Sequence, residues 1–341
     1  MLFLDIEEKC YIIINAVEDS NFKFYLTKGV KRMALKYKVF LHSHLGFNSN
    51  STLFYGEKDA ILIDASQLIS DSLKMAAEII GMRKRLTHIY ASHYHPDHHF
   101  GLYVLRYIFP DAKIVGLAQS VHDIVSVTND KLDMWAYDRF GMYDIPKSTV
   151  IPLIMGEPRL ILEGEEIQCL GDYEGDSINN SIVWVPSIKV VCATDVAFHD
   201  CHLWPIESNV ERRKKWRKDI ARMLELDPRV VIPGHCDEAK LQILEDVMEN
   251  KSKTYTDCVD WSIKYLDYYD EVYNTAKTGK ELVELIVKRY DLKAEDFAIH
   301  WQARLLFPKS SPDWLTPLPG KRGEIFLNPS GGYDGDPARE E

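Results

Sequence analysis

Apolar residues recur with both strand-like and helix-like spacing in the first 240 residues of the chain. Helical spacing covers residues 68–80, 102–108 and 210–226. Short apolar runs bounded by Gly, Pro, Asn or Asp predict β-strands, and they lie at residues 10–15, 22–26, 38–41, 51–55, 60–64, 86–91, 113–116, 150–154, 159–162, 167–170, 181–185, 189–193 and 230–235. Strands interleaved with helices predict an α/β fold.

The pattern becomes helical beyond residue 240. Residues 255–273 carry more apolar surface than a free helix tolerates, so we expect them to pack on the preceding domain or on a second subunit in a homodimer. We therefore divide the chain into a domain at 1–240, a helical extension at 241–307 and a Pro- and Gly-rich tail at 308–341. The helices of the extension are predicted at residues 241–248, 255–273, 281–290 and 294–307.

Composition restricts the partners of the protein. The net charge of −11 argues against nucleic-acid binding, and the apolar content of 46% with 27% charged residues is typical of a soluble globular protein. No apolar stretch is long enough to cross a membrane, and the acidic N-terminus lacks the basic start of a signal peptide. Six cysteines without CxxC spacing suit reduced thiols. We expect a cytoplasmic protein that acts on a small molecule and binds neither nucleic acid nor membrane.

One short segment concentrates the side chains that bind metals. Residues 86–101 read LTHIYASHYHPDHHFG, and they contain His93, His95, Asp97 and His98. His93 and His95 are two apart, so in an extended backbone both imidazoles point to one side and can share an ion. Pro96 ends the strand, and Asp97 and His98 can then face a second ion. Packing explains such a cluster poorly, because His and Asp are poor core residues unless their polar atoms are satisfied.

The strand predicted at 60–64 ends in Asp64. An acid that closes an apolar strand is either an N-cap for the following helix or a hydrogen-bond partner of a metal ligand. The two roles are compatible.

The run HxHxDH resembles the signature of the metallo-β-lactamase-fold superfamily. The resemblance implies an αββα sandwich that binds two divalent metal ions. It also implies that Asp195, in VVCATDVAF, bridges the ions and that His235, in VIPGH, joins Asp97 and His98 at the second ion. In the same fold Asp64 would orient a ligand histidine.

The sequence departs from the superfamily pattern at one ligand. The superfamily usually places a histidine ten residues before the proline that ends the next strand, and counting back from Pro186 gives Asp176. Either Asp176 replaces the histidine, or Asp172 or Glu174 does, or the first ion has only two protein ligands. An acid here resembles a microbial and fungal subgroup with a helical C-terminal extension. His202 aligns in that subgroup, either as a residue near the site or as a packed histidine.

The resemblance implies hydrolysis of an ester-like bond, such as a lactone, thioester or ester, by a hydroxide that bridges the two ions. Asp97 would orient the hydroxide and relay a proton. We expect zinc. Iron and manganese are alternatives, because two histidines and one carboxylate also suit non-haem iron. An iron-dependent oxidoreductase is therefore the competing hypothesis. The aromatic residues within 122–143 either cap the core or form an apolar wall against the substrate.

Overall fold

A computed structural model describes the backbone of residues 3–6, 9–18, 21–28, 34–138, 143–292, 296–309, 335–337 and 339, with side chains from residue 34 onward except at 137, 138, 296 and 297. The chain divides into two compact units, Met1–Ala34 and Leu35–Glu341. In the first unit the described residues form an antiparallel sheet of β1 (Phe3–Ile6), β2 (Lys9–Glu18) and β3 (Asn21–Lys28). The strands predicted at 10–15 and 22–26 lie within β2 and β3.

The second unit contains two sheets whose strands follow chain order. One sheet is antiparallel over its first three strands and parallel over the rest, and comprises β4 (Lys36–Leu41), β5 (Asn50–Tyr55), β6 (Asp59–Ile63), β7 (Arg85–Ala91), β8 (Lys113–Gly116) and β9 (Leu153–Ile154). The other is antiparallel except for its last, parallel pair, and comprises β10 (Arg159–Leu162), β11 (Glu165–Tyr173), β12 (Asn180–Val185), β13 (Val190–His199) and β14 (Val230–Cys236).

Helices connect and cover these strands. In the described part of the chain they are α1 (Ile69–Gly81), α2 (Pro96–His99), α3 (Leu102–Ile108), α4 (Ala118–Leu132), α5 (Val210–Arg222), α6 (Glu238–Glu249), α7 (Asp257–Thr275), α8 (Gly279–Arg289) and α9 (Asp296–Leu306). A π-helical turn, Asp133–Asp138, continues α4. None of the helices in the described part of the chain has both the length and the apolar character needed to span a bilayer.

The apolar core lies in two layers, as the alternation of strand residues dictates. Phe54 and Ile61 of the six-stranded sheet face Val183 of the five-stranded sheet, and all three are fully buried. The opposite face of the six-stranded sheet packs against α1 and α3. Helices α5, α6 and α7 cover the five-stranded sheet. The layers are therefore helix, sheet, sheet, helix, which confirms the predicted αββα fold.

The helical extension lies on the strands that lead to the candidate site. Helix α7 contacts β13 and β14, and Ser262 of α7 accepts a hydrogen bond of 2.9 Å from the backbone N–H of Phe198. The domain boundary predicted at residue 240 falls inside α6, and the domain division stays a prediction. Most of the tail predicted at 308–341 lies outside the described residues.

Several elements differ from the sequence predictions, including β1, which was not predicted. Helix α4 was not predicted, because its buried side includes Ser120, Asp123 and Lys131, which interrupt the apolar spacing. The strand predicted at 150–154 is reduced to Leu153–Ile154, after Pro152, whose nitrogen carries no hydrogen for a ladder bond. Strand β13 continues six residues beyond the predicted end at 193, because every residue to His199 is buried against neighbours.

Candidate metal centre

The predicted ligands meet at one edge of the sandwich. His93, His95, Asp97 and His98 follow β7 directly, partly in the short helix α2. Strands β13 and β14 bring two more ligands, and the connection between β11 and β12 brings a third. These are Asp195, His235 and Asp176, and all seven residues are at least 95% buried.

The first ligand group consists of His93, His95, Asp176 and Asp195, each of which offers an atom within 4.8 Å of those of the others. His95 Nδ1 lies 2.7 Å from Asp176 Oδ2. His93 Nε2 lies 3.4 Å from Asp195 Oδ2 and 3.9 Å from Asp176 Oδ1. Two imidazole nitrogens and two carboxylate oxygens therefore face a common point.

The second ligand group consists of Asp97, His98, Asp195 and His235. His98 Nε2 lies 3.1 Å from Asp195 Oδ2 and 3.2 Å from Asp97 Oδ2. His235 Nε2 lies 3.2 Å and 3.3 Å from the same two oxygens. Because Asp195 belongs to both groups, its carboxylate lies between the two candidate ion positions.

Unsatisfied polar atoms at the centre of the cluster indicate that the residues fit divalent ions. Among the described residues, His93 Nε2 and Asp195 Oδ1 are buried and have no hydrogen-bond partner. Nε2 of His98 lies 3.4 Å from Nε2 of His235, so two ring nitrogens face each other. Buried polar atoms are normally paired, and four nitrogen and oxygen donors per ion suit zinc and similar cations. Both groups therefore fit a divalent cation.

A local irregularity of β13 places Asp195. The pairing of β13 with β14 shifts register on both sides of Thr194, whose φ is 47°. Gly234 of β14 lies directly opposite, and a Cβ atom there would be 2.1 Å from Asp195 Oδ1. Asp195 therefore lies inside a strand, not at its end as predicted, and its carboxylate occupies space that only glycine leaves open.

Hydrogen bonds to the outer ring nitrogens orient the ligand histidines. Asp64 Oδ2 accepts from His98 Nδ1 at 2.9 Å, and the same carboxylate accepts from the N–H and hydroxyl of Ser92. His235 Nδ1 donates to the carbonyl of Phe47 at 2.8 Å. A histidine whose one nitrogen is held by a partner presents the other nitrogen to an ion. Asp64 thus lies next to His98, one of the candidate ligands.

Only one of the three acids considered for the missing histidine lies with the ligands. The side chain of Asp172 is 90% exposed. Glu174 is paired with the guanidinium of Arg212. Asp176 is 2% exposed and contacts His95, and its N–H donates to the Asp195 carbonyl at 3.3 Å.

His202 lies outside both ligand groups. It is fully buried, and its Nδ1 is 2.8 Å from the hydroxyl of Tyr265 on α7. The structure therefore places it against the helical extension.

Glu207 contacts the site and was not among the sequence-predicted residues. It lies in the short turn Pro205–Glu207, and its Oε1 is 3.1 Å from His95 Nε2. The hydroxyl of Tyr94 and the ammonium of Lys131 also donate to its carboxylate. No local pattern marks this residue, because its partners lie 76 to 113 positions away in the chain.

The charged groups of the cluster shift one another's pKa values. Burial opposes charge on His95, but Asp176 and Glu207 outweigh it and raise its pKa to about 10. Burial also opposes charge on Asp195, yet His98, His235 and His93 hold its pKa well below the usual range. Similarly, His98 and His235 overcome burial at Asp97 and lower its pKa. Asp97 and Asp195 are therefore ionised, which is the state that binds cations.

A cavity opens onto the ligands, and its empty space, including the part open to solvent, is about 440 Å³. Its floor contains His95, Asp97, Asp176 and His235, and Lys131 and Glu207 form a polar corner. Its remaining lining is apolar and largely aromatic, and consists of Phe47, Pro96, Met134, Trp135, Phe198 and Trp204. In the aromatic segment at 122–143, Met134 and Trp135 thus line the cavity. Tyr143 is 97% exposed. The side chains of residues 137–142 lie outside the described residues.

The chain was compared with known proteins and with solved structures. The chain is similar to solved structures at low identity, and no match is found among curated proteins. A metallo-beta-lactamase from Pontibacter korlensis is 14% identical over 73% of this chain and 99% of its own, with a TM-score of 0.42. The BLEG-1 B3 metallo-beta-lactamase is 16% identical over 58% and 91%, with a TM-score of 0.47.

The family match covers the segment that carries the candidate ligands. The family model of the metallo-beta-lactamase superfamily matches residues 44–235, which include all seven predicted ligands and more than half of the chain. This match confirms the family that the HxHxDH run predicted. The chain belongs to the metallo-beta-lactamase superfamily.

Proposed function

We propose that the protein is a hydrolase that uses two divalent metal ions, zinc in the first instance, to cleave an ester-like bond in an apolar small molecule. One observation carries the proposal. Asp195 Oδ2 lies 3.1 to 3.4 Å from ring nitrogens of both ligand groups, namely those of His93, His98 and His235. Membership of the superfamily supports metal-dependent hydrolysis in general.

Bound divalent ions would act as a Lewis acid on the carbonyl oxygen of the substrate. They would also lower the pKa of a bound water molecule to near neutrality. The chain's own residues would do the rest. Asp97 lines the cavity. Its Oδ2 lies 3.2 Å from His98 Nε2 and 3.3 Å from His235 Nε2. Its ionised carboxylate can therefore orient a water molecule, accept a proton from it, and pass that proton to the leaving oxygen or sulfur atom.

The lining of the cavity supports an apolar acyl group. Phe47 packs against Trp135 with ring centroids 5.4 Å apart, and Trp204 completes the wall. Apolar surface removed from water stabilises a bound ligand by about 25 cal/mol per Å². A lactone, thioester or ester with an apolar or aromatic acyl group would fit better than a polyanion.

The experiment is a metal analysis of the purified protein, combined with a screen of lactones, thioesters and esters with apolar acyl groups. We expect about two ions per chain, turnover that chelation abolishes, and recovery on addition of zinc or manganese. Asp97→Asn should reduce turnover while the other ligands of its group remain. A protein that holds two ions and hydrolyses none of the three classes would contradict the proposal.

The composition of the two ligand groups favours one alternative. Each group contains two histidines, one aspartate of its own and the shared Asp195. Two histidines with one carboxylate also suit non-haem iron. If the purified protein contains iron and consumes oxygen with a candidate substrate while it shows no hydrolysis, an iron-dependent oxidoreductase replaces the hydrolase.

We also propose that the protein acts in the cytoplasm on a small molecule, without nucleic-acid or membrane partners, and that the helices of the extension can support a homodimer. Buried free thiols support a reducing compartment, since they include Cys169, Cys192, Cys201, Cys236 and Cys258. Size-exclusion chromatography with light scattering would test the dimer.

A further inference from the structure

We propose that Glu207 is a positioning residue that holds the imidazole of His95 in the tautomer and orientation needed by the first ligand group. The inference rests on the proposed metal centre. It adds to that centre a residue from outside the seven superfamily positions, contributed by the turn that follows β13.

Glu207 contacts His95 on the side opposite Asp176. Its Oε1 lies 3.1 Å from His95 Nε2, while Asp176 Oδ2 lies 2.7 Å from His95 Nδ1. The imidazole is thus held between two carboxylates, each at a different ring nitrogen. A carboxylate held ionised only accepts hydrogen bonds, so Nε2 must carry a proton to bond with Glu207.

Glu207 is itself held by groups other than His95. The hydroxyl of Tyr94 donates to Oε2 at 2.7 Å, and the ammonium of Lys131 lies 3.4 Å from Oε1. The side chains of Lys131 and Glu207 are only 6% and 3% exposed. The cation offsets the cost of burying the carboxylate, so Glu207 is held in place by groups other than His95.

The consequence for His95 follows from the chemistry of imidazole. A ring that binds an ion must be neutral, and with its proton held on Nε2 the lone pair lies on Nδ1, which faces Asp176 and the rest of the first ligand group. Without Glu207 the ring can rotate or take the other tautomer. Partners of this kind typically change metal affinity about 10- to 100-fold when they are removed.

The same outer contact recurs at two other ligands. Asp64 accepts from His98 Nδ1, and the Phe47 carbonyl accepts from His235 Nδ1. Those two histidines offer Nε2 to the cluster, whereas His95 offers Nδ1. Its outer partner must therefore lie on the Nε2 side, and Glu207 is there.

Glu207→Gln, which preserves size, tests the proposal. We expect it to weaken one of the two ions about 10- to 100-fold in competition with a chromophoric chelator, and to leave the affinity of the other near the wild-type value. Nitrogen-15 NMR of histidine side chains in the zinc-loaded protein should show the His95 signal changed in tautomer or broadened. Lys131→Met should produce a weaker effect in the same direction, because it loosens Glu207 without removing it.

A matched control is Asp270→Asn, which removes a carboxylate paired with Arg213 and Arg217 outside the cavity. It should leave both metal affinities unchanged. Wild-type metal affinities and an unchanged His95 signal in Glu207→Gln would overturn the inference while the metal centre stands. Failure of the wild-type protein to bind two ions would instead refute the proposed function. Thermal melts of each variant without metal separate loss of folding from loss of the ion.

Discussion

Asp176 Oδ2 lies 2.7 Å from Nδ1 of His95, although 81 residues separate the two in the chain. This contact brings a carboxylate to the place where the superfamily usually has a histidine. It makes the two ligand groups alike in composition, because each has two histidines, one aspartate of its own and the shared Asp195. The first ion would therefore have a harder and more negative set of ligands than three histidines would supply.

Substitution of Asp176 should affect one ion selectively. We expect Asp176→Ala to weaken one ion roughly 10-fold or more, since it removes one of four donors, and Asp176→His to preserve binding by supplying an imidazole. Metal titration against a chelator measures both. Asp172→Ala and Glu174→Gln are the controls. If either control loses the ion while Asp176→Ala binds it like wild type, Asp176 is not the acid of the first ligand group.

Removal of the shared ligand should have a larger effect. We expect the wild-type protein to retain about two ions per chain, and Asp195→Ala to lose both ions and activity, because its carboxylate contributes to both ligand groups. His95→Ala should lose metal and activity through the first group. Elemental analysis after gel filtration gives the metal content. His122→Gln, on the exposed side of α4, is the control, and full metal retention in both ligand variants would remove the basis of the metal centre.

Gly234 should not tolerate a side chain. A Cβ atom there would lie 2.1 Å from Asp195 Oδ1 and 2.4 Å from the carbonyl carbon and oxygen of Thr194. We expect Gly234→Ala to displace the bridging carboxylate, and so to lower both the metal content and the Tm. Gly81→Ala is the matched control, because a Cβ there meets nothing within 4 Å at the end of a helix. Equal metal content in the two variants would show that β13 can move without loss of the site.

The helical extension should be required for a folded protein. Cys258, Leu266 and Tyr269 of α7 are at most 1% exposed, and the helix covers β13. Truncation after Lys240 would expose this apolar face, so we expect aggregation or loss of solubility. Solubility and activity of the truncated chain measure this, and a soluble, fully active product would show the extension to be dispensable.

Stability should fall in mildly acidic solution, partly through His199. Burial and Lys240 lower the pKa of His199 to about 4, against the opposing charges of Asp200 and Asp257. In the unfolded chain the pKa of a histidine is about 6.5, so the unfolded chain binds the proton more readily than the folded protein. The stabilisation that is present above pH ~6.5 is therefore lost as the pH falls toward 4.

We expect His199→Gln to lower the Tm at neutral pH, because it removes the contact of 2.5 Å between Nδ1 and the hydroxyl of Tyr255. The Tm of the variant should also decline less steeply than that of wild type between pH ~6.5 and ~4. Both proteins are measured without metal, so that ion release does not contribute. A slope identical to that of wild type would show that other groups carry the acid sensitivity.

The order of the elements and half of the site could be predicted from the sequence for a local reason. His93, His95, Asp97 and His98 lie within six residues, so a strand that ends at a proline brings them together without any distant contact. The spacing of apolar residues likewise predicted most strands and an α/β fold, because period and secondary structure are coupled along the chain. The αββα sandwich was implied by the resemblance of the HxHxDH run to the superfamily.

The remaining features depended on contacts that no local pattern records. The sequence left Asp172, Glu174 and Asp176 open, and burial of Asp176 against His95 separates it from the other two. Asp195 lies inside β13 because of a register shift opposite Gly234. Glu207 contacts His95 across 112 positions of the chain. Residue spacing determines which side chains share one element, whereas the packing of distant elements decided which side chains meet in one candidate ligand group.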